Sequence, residues 1–147
     1  MADAFAIKFS DAGMAAGLDA LTDGALKAVR PAAQAGAQVF YEEVLARVPV
    51  SRTARKTKSG RVIAPGALKA SIYQVFSEDN SAPERATYHI SWNAKKAPHG
   101  HLVEYGTSRA PAHPFIRPSF DAKAQAALEA SRVRYGENMQ AVIGSLT

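Results

Sequence analysis

Three prolines close together constrain the fold of this chain more than any other feature of its sequence. Pro111, Pro114 and Pro118 lack a backbone N–H, and each disfavours a helical conformation in the residue before it. Residues 107–118 are therefore predicted to run extended, with Phe115 inserted into the core. We call this segment the strap.

Apolar residues at three- and four-residue spacing predict helices on both sides of the strap. A first helix, beginning after Asp11, is expected to end near Val29. Pro31 is expected either to kink a continuous helix or to be the first residue of a new one, with a new helix or a sharp bend favoured, and the helical pattern after it runs to Val48. Pro118 is expected to open the last helix.

Alternating apolar and polar residues predict short strands. Phe5–Phe9 alternates as a half-buried strand, and residues 87–92 alternate in the same way. Residues 70–77 carry large side chains on both faces, which is typical of a central strand covered on both sides. The last two strands are expected to form a hairpin, and His101–Tyr105 a short helix that ends at Gly106.

These elements predict an α+β fold in a single domain spanning residues 1–147. A small antiparallel sheet of about three strands packs against a long helix and a C-terminal helix. A long basic loop at about residues 51–65 connects the two parts of the chain. This loop has few bulky apolar side chains, so we expect a mobile loop or an extended hairpin arm.

The positive charge of the chain is concentrated around this loop. The formal net charge is +5, and seven of the 18 cations lie between Glu43 and Glu78, a stretch without acids. The other eleven cations are outnumbered by thirteen acids. The chain is thus mildly acidic apart from one basic patch, whose candidate partner contacts are Arg52, Arg55, Lys56, Lys58 and Arg61.

No catalytic or cofactor-binding pattern is present in the sequence. It has no phosphate-binding loop, dinucleotide-binding glycine motif, nucleophile elbow or H-E-x-x-H, and no cysteine. His99, His101, Glu104 and His113 form the one metal-like cluster, but Gly100 and nearby prolines make structural histidines the favoured interpretation. We expect no enzyme, no cofactor and no metal, with a metal-dependent hydrolase at these histidines as the weakest alternative.

The N-terminus lacks the positively charged start of a secretion signal. No apolar run approaches the ~18 residues that a membrane span needs. Neither secretion nor membrane insertion is therefore expected.

Two sequence elements around the strap resemble those of a known family. The first is the run Val103-Glu104-Tyr105-Gly106-Thr107, and the second is the run Pro114-Phe115-Ile116-Arg117-Pro118. They are similar to the V-E-[FY]-G-T and P-F-[LI]-R-P elements of neck or tail-completion proteins from tailed bacteriophages and prophages with long non-contractile tails.

A third element of that family, G-x-L-[KR]-x-S-[IV], is matched before the central strand. Gly66, Leu68 and Ser71 occupy its defining positions. Many relatives have Arg-Thr-Gly where this chain has Ala64-Pro65-Gly66.

The resemblance implies a virion structural protein made in the host bacterial cytoplasm. It implies a homo-oligomeric ring, expected to be a hexamer, at the head-to-tail junction. The implied partners are a connector or head-completion protein and a tail terminator or tail-tube protein. Genomic DNA would pass through the lumen without specific binding. A neck ring next to the capsid and a terminator next to the tail both remain open.

Glu104 is expected to be partly buried between Val103 and Tyr105. Its carboxylate is predicted to cap the amides of residues 107–109, or to pair with Arg109 or Arg117. An ordinary exposed glutamate is the alternative.

The basic loop has three interpretations. Its cations are simply solvated, or they dock onto an acidic neighbour, or residues 52–61 form a nucleic-acid-binding module. The loop has no aromatic residue to stack on bases, which disfavours the third interpretation.

Overall fold

The structure, a computed structural model, describes residues 11–146. The predicted strand Phe5–Phe9 lies outside this range. The elements in chain order are α1 (Ala12–Arg47), β1 (Arg55–Lys56), β2 (Val62–Ile63), α2 (Ala67–Ser71), β3 (Ile72–Phe76), β4 (Tyr88–Trp92), α3 (Gly100–Tyr105) and α4 (Ile116–Gly144). This arrangement confirms the predicted α+β class, with a long helix, a C-terminal helix and two small antiparallel sheets of two strands each.

The two long helices run antiparallel and approach closely through small residues. A buried row at four-residue spacing on α1, Gly24, Ala28, Ala32 and Gly36, lies on this side of the helix. A Cβ atom at Gly24 would lie 2.6 Å from Val142 Cγ2, and one at Gly36 would lie 3.0 Å from the carbonyl oxygen of Ala127. The absence of side chains at these two positions therefore sets the separation of α1 and α4.

Pro31 does not divide α1. The favoured prediction of a new helix at this residue is wrong, since one helix of 36 residues passes through it. Pro31 removes one hydrogen bond from the helix. The row of small residues continues on both sides of it, so packing against α4 stabilises the helix across the defect.

The hairpin of β3 and β4 is confirmed, and it packs on α1. Its register pairs Ile72 with Trp92 and Phe76 with Tyr88. The prediction that β3 is covered on both faces is wrong, because Tyr73 is 40% and Val75 47% exposed. Within residues 11–146, α1 covers only the face that carries Ile72, Gln74 and Phe76.

The core lies where the C-terminal end of α1 meets the hairpin and the strap. Six buried residues form one cluster: Val44, Val48, Leu68, Ile72, Ala97 and Phe115. Phe115 is fully buried, and its ring lies 5.9 Å from that of Trp92. The strap therefore supplies a fully buried core side chain, as its sequence predicts. The last helix begins at Ile116 and not at Pro118, so the extended part of the strap ends two residues earlier than predicted.

The close approach of the two long helices is testable at Gly36. In Gly36→Ala, the added Cβ meets Ser131 Oγ and the backbone of Ala127, so α4 must shift. We expect a loss of about 1–3 kcal/mol in the free energy of unfolding, measured by urea denaturation.

Gly17→Ala is the matched control, because nothing lies within 4 Å of a Cβ at this position of the same helix. Higher helix propensity should raise its stability by about 0.5–1 kcal/mol. Equal stability changes in the two variants would contradict the close packing at Gly36.

Candidate functional site

The motif residues around the strap are positioned by a sharp turn after α3. Gly106 has a φ of +76°, and a Cβ there would lie 2.7 Å from the backbone nitrogen of Ala112. Glycine is therefore required at this position, both for its backbone conformation and because a side chain would not fit. The chain then returns along α3, where the N–H of His113 donates a 2.8 Å hydrogen bond to the carbonyl oxygen of Val103.

Glu104 joins α3 to the start of α4. Its Oε2 accepts hydrogen bonds from the N–H groups of Phe115, at 2.8 Å, and Ile116, at 3.1 Å. Its Oε1 accepts a third bond, of 3.2 Å, from the N–H of Arg117. Glu104 is only 6% exposed. The carboxylate thus satisfies N–H groups in the first turn of α4 that have no partner within the helix.

Burial of Glu104 agrees with the prediction, but of its predicted partners only Arg117 contacts it, through the backbone N–H and not the side chain. Thr107 Oγ1 accepts the N–H groups of Arg109 and Ala110, so the strap's own turn needs no carboxylate. Among residues 11–146, neither Arg109 nor Arg117 forms an ion pair with Glu104.

The earlier motif element forms the short helix α2. Gly66 precedes it with a φ of +70°, in the left-handed region that favours glycine. Leu68 is buried in the core beside Phe115, and the Ser71 hydroxyl donates a 2.7 Å hydrogen bond to the carbonyl oxygen of Leu68. Motif elements more than thirty residues apart in the sequence therefore meet in one core.

The other motif residues divide between the core and the surface. Val103 packs against the core cluster and Pro118 is half-buried. Four residues are exposed: Tyr105, Thr107, Pro114 and Arg117.

Residues 55–63 form a hairpin, one of the two forms predicted for the basic segment. Arg55 pairs with Ile63 and Lys56 with Val62, and Gly60 takes a φ of +82° in the turn. The guanidinium of Arg61 donates a 2.7 Å hydrogen bond to the carbonyl oxygen of Lys95. We call residues 52–61 the basic arm; its five predicted contact residues are all exposed, namely Arg52, Arg55, Lys56, Lys58 and Arg61.

His99 lies at the base of the basic arm. It lines a cavity of about 500 Å³ together with Arg55 and Lys56, and its Nδ1 is buried without a hydrogen-bond partner. Burial, and then the nearby charges of Arg55 and His101, hold the pKa of His99 below its ordinary value of 6.5. The imidazole is therefore neutral at physiological pH.

The predicted histidine cluster is not brought together as a metal centre. In the part of the chain that the structure describes, no three His, Asp or Glu side chains are grouped to hold a metal ion. Both oxygens of Glu104 are occupied by backbone amides, and His113 lies exposed on the strap.

Comparison with protein families finds one match: residues 12–106 match the family described as "Bacteriophage HK97-gp10, putative tail-component". The chain belongs to this HK97-gp10-like family. The match includes the Gly66–Ile72 element and the Val103–Gly106 part of the first element. Comparison with curated proteins and with solved structures gives no match.

No helix within residues 11–146 is both long and apolar enough to cross a membrane.

The role of Glu104 is testable by Glu104→Ala. This change leaves three N–H groups near the core without their acceptor. We expect a loss of about 2–4 kcal/mol in the free energy of unfolding, measured by urea denaturation at neutral pH.

Glu129→Ala, at an exposed position of α4, is the control and should change stability by less than about 0.5 kcal/mol. If the two variants are equally stable, Glu104 does not organise the start of α4.

Proposed function

We propose that this chain is a virion structural protein that joins the capsid connector to the tail, as a ring at the neck of the particle. Membership of a tail-component family over residues 12–106 carries the proposal. It is supported by the construction of the core, because the motif residues Leu68, Val103, Glu104 and Phe115 serve to hold the fold together. No enzymatic role is proposed.

Self-association is supported by apolar side chains at one end of the helix pair. Met14 and Leu18 on α1 are 60% and 58% exposed, and Ile143 on α4 is 51% exposed. Exposed apolar side chains mark interfaces between proteins where they form a continuous surface. A ring requires two different surfaces that fit each other, repeated by rotation until the circle closes. We propose six subunits.

The basic arm is proposed to contact an acidic surface on the connector side or the tail side of the ring. Its exposed cations are held on a hairpin that Arg61 ties to the body of the protein. Such charges steer association and fix the register of partners. The arm offers no aromatic side chain for stacking on bases, so a protein partner fits it better than DNA.

The proposal is testable by complementation of a phage in which the corresponding gene is disrupted. Without a supplied copy, filled heads and tails should accumulate unjoined, and the wild-type chain should restore joined particles. A variant in which Arg52, Arg55, Lys56, Lys58 and Arg61 are replaced by Ser should yield on the order of tenfold fewer joined particles, counted by electron microscopy. Its melting temperature should be unchanged.

A control variant removes the same number of exposed cations elsewhere, by replacing Lys27, Lys69, Arg85, Arg109 and Arg132 with Ser. Both variants lower the formal net charge from +5 to zero, so net charge does not distinguish them. Arg61→Ser alone shows how much of the effect comes from losing the hydrogen bond to the carbonyl oxygen of Lys95. Head-to-tail joining by the wild-type chain should become less efficient as the salt concentration rises, and joining by the arm variant should depend less on salt. Normal joining by the arm variant would remove the arm from the mechanism, and normal joining without any supplied chain would refute the proposal.

A further inference from the structure

An apolar groove lies between β4 and α4, with α1 as its floor. Its volume is about 600 Å³. Ala33, Ala37 and Phe40 of α1 form the floor, Tyr88 and Ile90 of β4 one wall, and Phe120, Ala124 and Leu128 of α4 the other. Phe120 is 58% and Leu128 47% exposed, although both are large apolar residues.

One wall of the groove is an unpaired strand edge. The N–H of Ser77 donates to the carbonyl oxygen of Thr87, and the N–H of Asn93 donates to that of Ser71. In an antiparallel pair such bonds alternate along the strands. The N–H and C=O groups of Tyr88 and Ile90 therefore point away from β3 and towards the groove. They have no hydrogen-bond partner within residues 11–146.

An apolar groove beside an unpaired strand edge suits an added strand with one apolar face. Backbone groups of Tyr88 and Ile90 would pair with it, and its apolar side chains would pack on the same α1 surface that β4 covers. Phe5, Ile7 and Phe9 alternate with Ala6, Lys8 and Ser10, which is the required pattern.

The chain's own residues 5–9 cannot reach the groove. The floor begins at Ala33, 21 residues along α1 from Ala12, which is about 31 Å at 1.5 Å per residue. Seven residues separate Phe5 from Ala12, and fully extended they span at most about 25 Å. The three residues that separate Phe9 from Ala12 span only about 10 Å when fully extended.

We infer that residues 5–9 of a second copy occupy this groove and extend the hairpin by one strand. Each subunit gives its N-terminal segment to one neighbour and receives that of the other. This is a heterologous contact that repeats until the ring closes. The inference rests on the proposed ring and names the contact that builds it.

Cross-linking of the full chain tests this contact, because the protein has no cysteine of its own. Chains carrying only Ile7→Cys are mixed with chains carrying only Leu128→Cys and oxidised mildly. We expect a reducible band at about twice the 15.6 kDa of one chain, with a peptide linking positions 7 and 128 identified by mass spectrometry. A disulfide needs Cα atoms within about 7 Å, so the bond reports docking in the groove.

Val133→Cys is the matched control, since Val133 is similarly exposed on α4 but lies outside the groove. Linkage between 7 and 128 should exceed linkage between 7 and 133 by about tenfold, because docking raises the effective concentration of one thiol near the other. Equal linkage, or none, overturns the inference. The inference is also overturned if a chain carrying both Ile7→Cys and Leu128→Cys forms only a disulfide within itself.

A second variant separates this contact from the proposed function. Phe5, Ile7 and Phe9 replaced together by Ser should leave the melting temperature of the monomer unchanged and lower the oligomer mass measured by light scattering. An intact ring in this variant refutes the added strand and leaves the head-to-tail role standing. Specific 7–128 linkage in a chain that phage particles do not require would support the strand and refute the role.

Discussion

The buried carboxylate of Glu104 is the interaction on which the arrangement of this protein depends most. It fixes the first turn of α4 to α3 through three backbone amides, immediately beside the buried ring of Phe115. A carboxylate in such a place is tolerated only when its hydrogen bonds are satisfied. Glu104 thereby anchors the beginning of α4 at the core.

Local features of the structure were predictable from the sequence, whereas contacts over long distances were less so. The β3–β4 hairpin, the short helix ending at Gly106 and the insertion of Phe115 follow from alternation, glycine and proline, which act within a few residues. The predicted helix break at Pro31 is wrong because packing of α1 against α4 outweighs the local cost of the proline. The row Gly24, Ala28, Ala32 and Gly36 is a visible signal of a helix packed closely along its length, and it runs across Pro31.

In the candidate site too, local features were predictable from the sequence and contacts over long distances were not. The neighbours Val103 and Tyr105 identified Glu104 as a partly buried residue, but not the three amides that it binds, since these lie eleven to thirteen residues away, at the start of α4. The free N–H groups at the beginning of any helix were the available signal. The groove could not be predicted at all, because it depends on how β4 and α4 are placed on α1.

The molecule thus separates the parts that hold it together from the parts available for contact. The buried motif residues, Leu68, Glu104 and Phe115 among them, build the core, while the basic arm, the apolar helix ends and the groove lie at the surface. This division is what a shell component needs, since its surfaces must meet different neighbours without disturbing the fold.

Electron cryomicroscopy of the assembled particle tests this account most directly. The account predicts a closed ring of this chain between the capsid connector and the tail tube, with the basic arm against a neighbouring component. Density for the chain elsewhere in the particle, or purified infectious particles that lack it, would contradict the account.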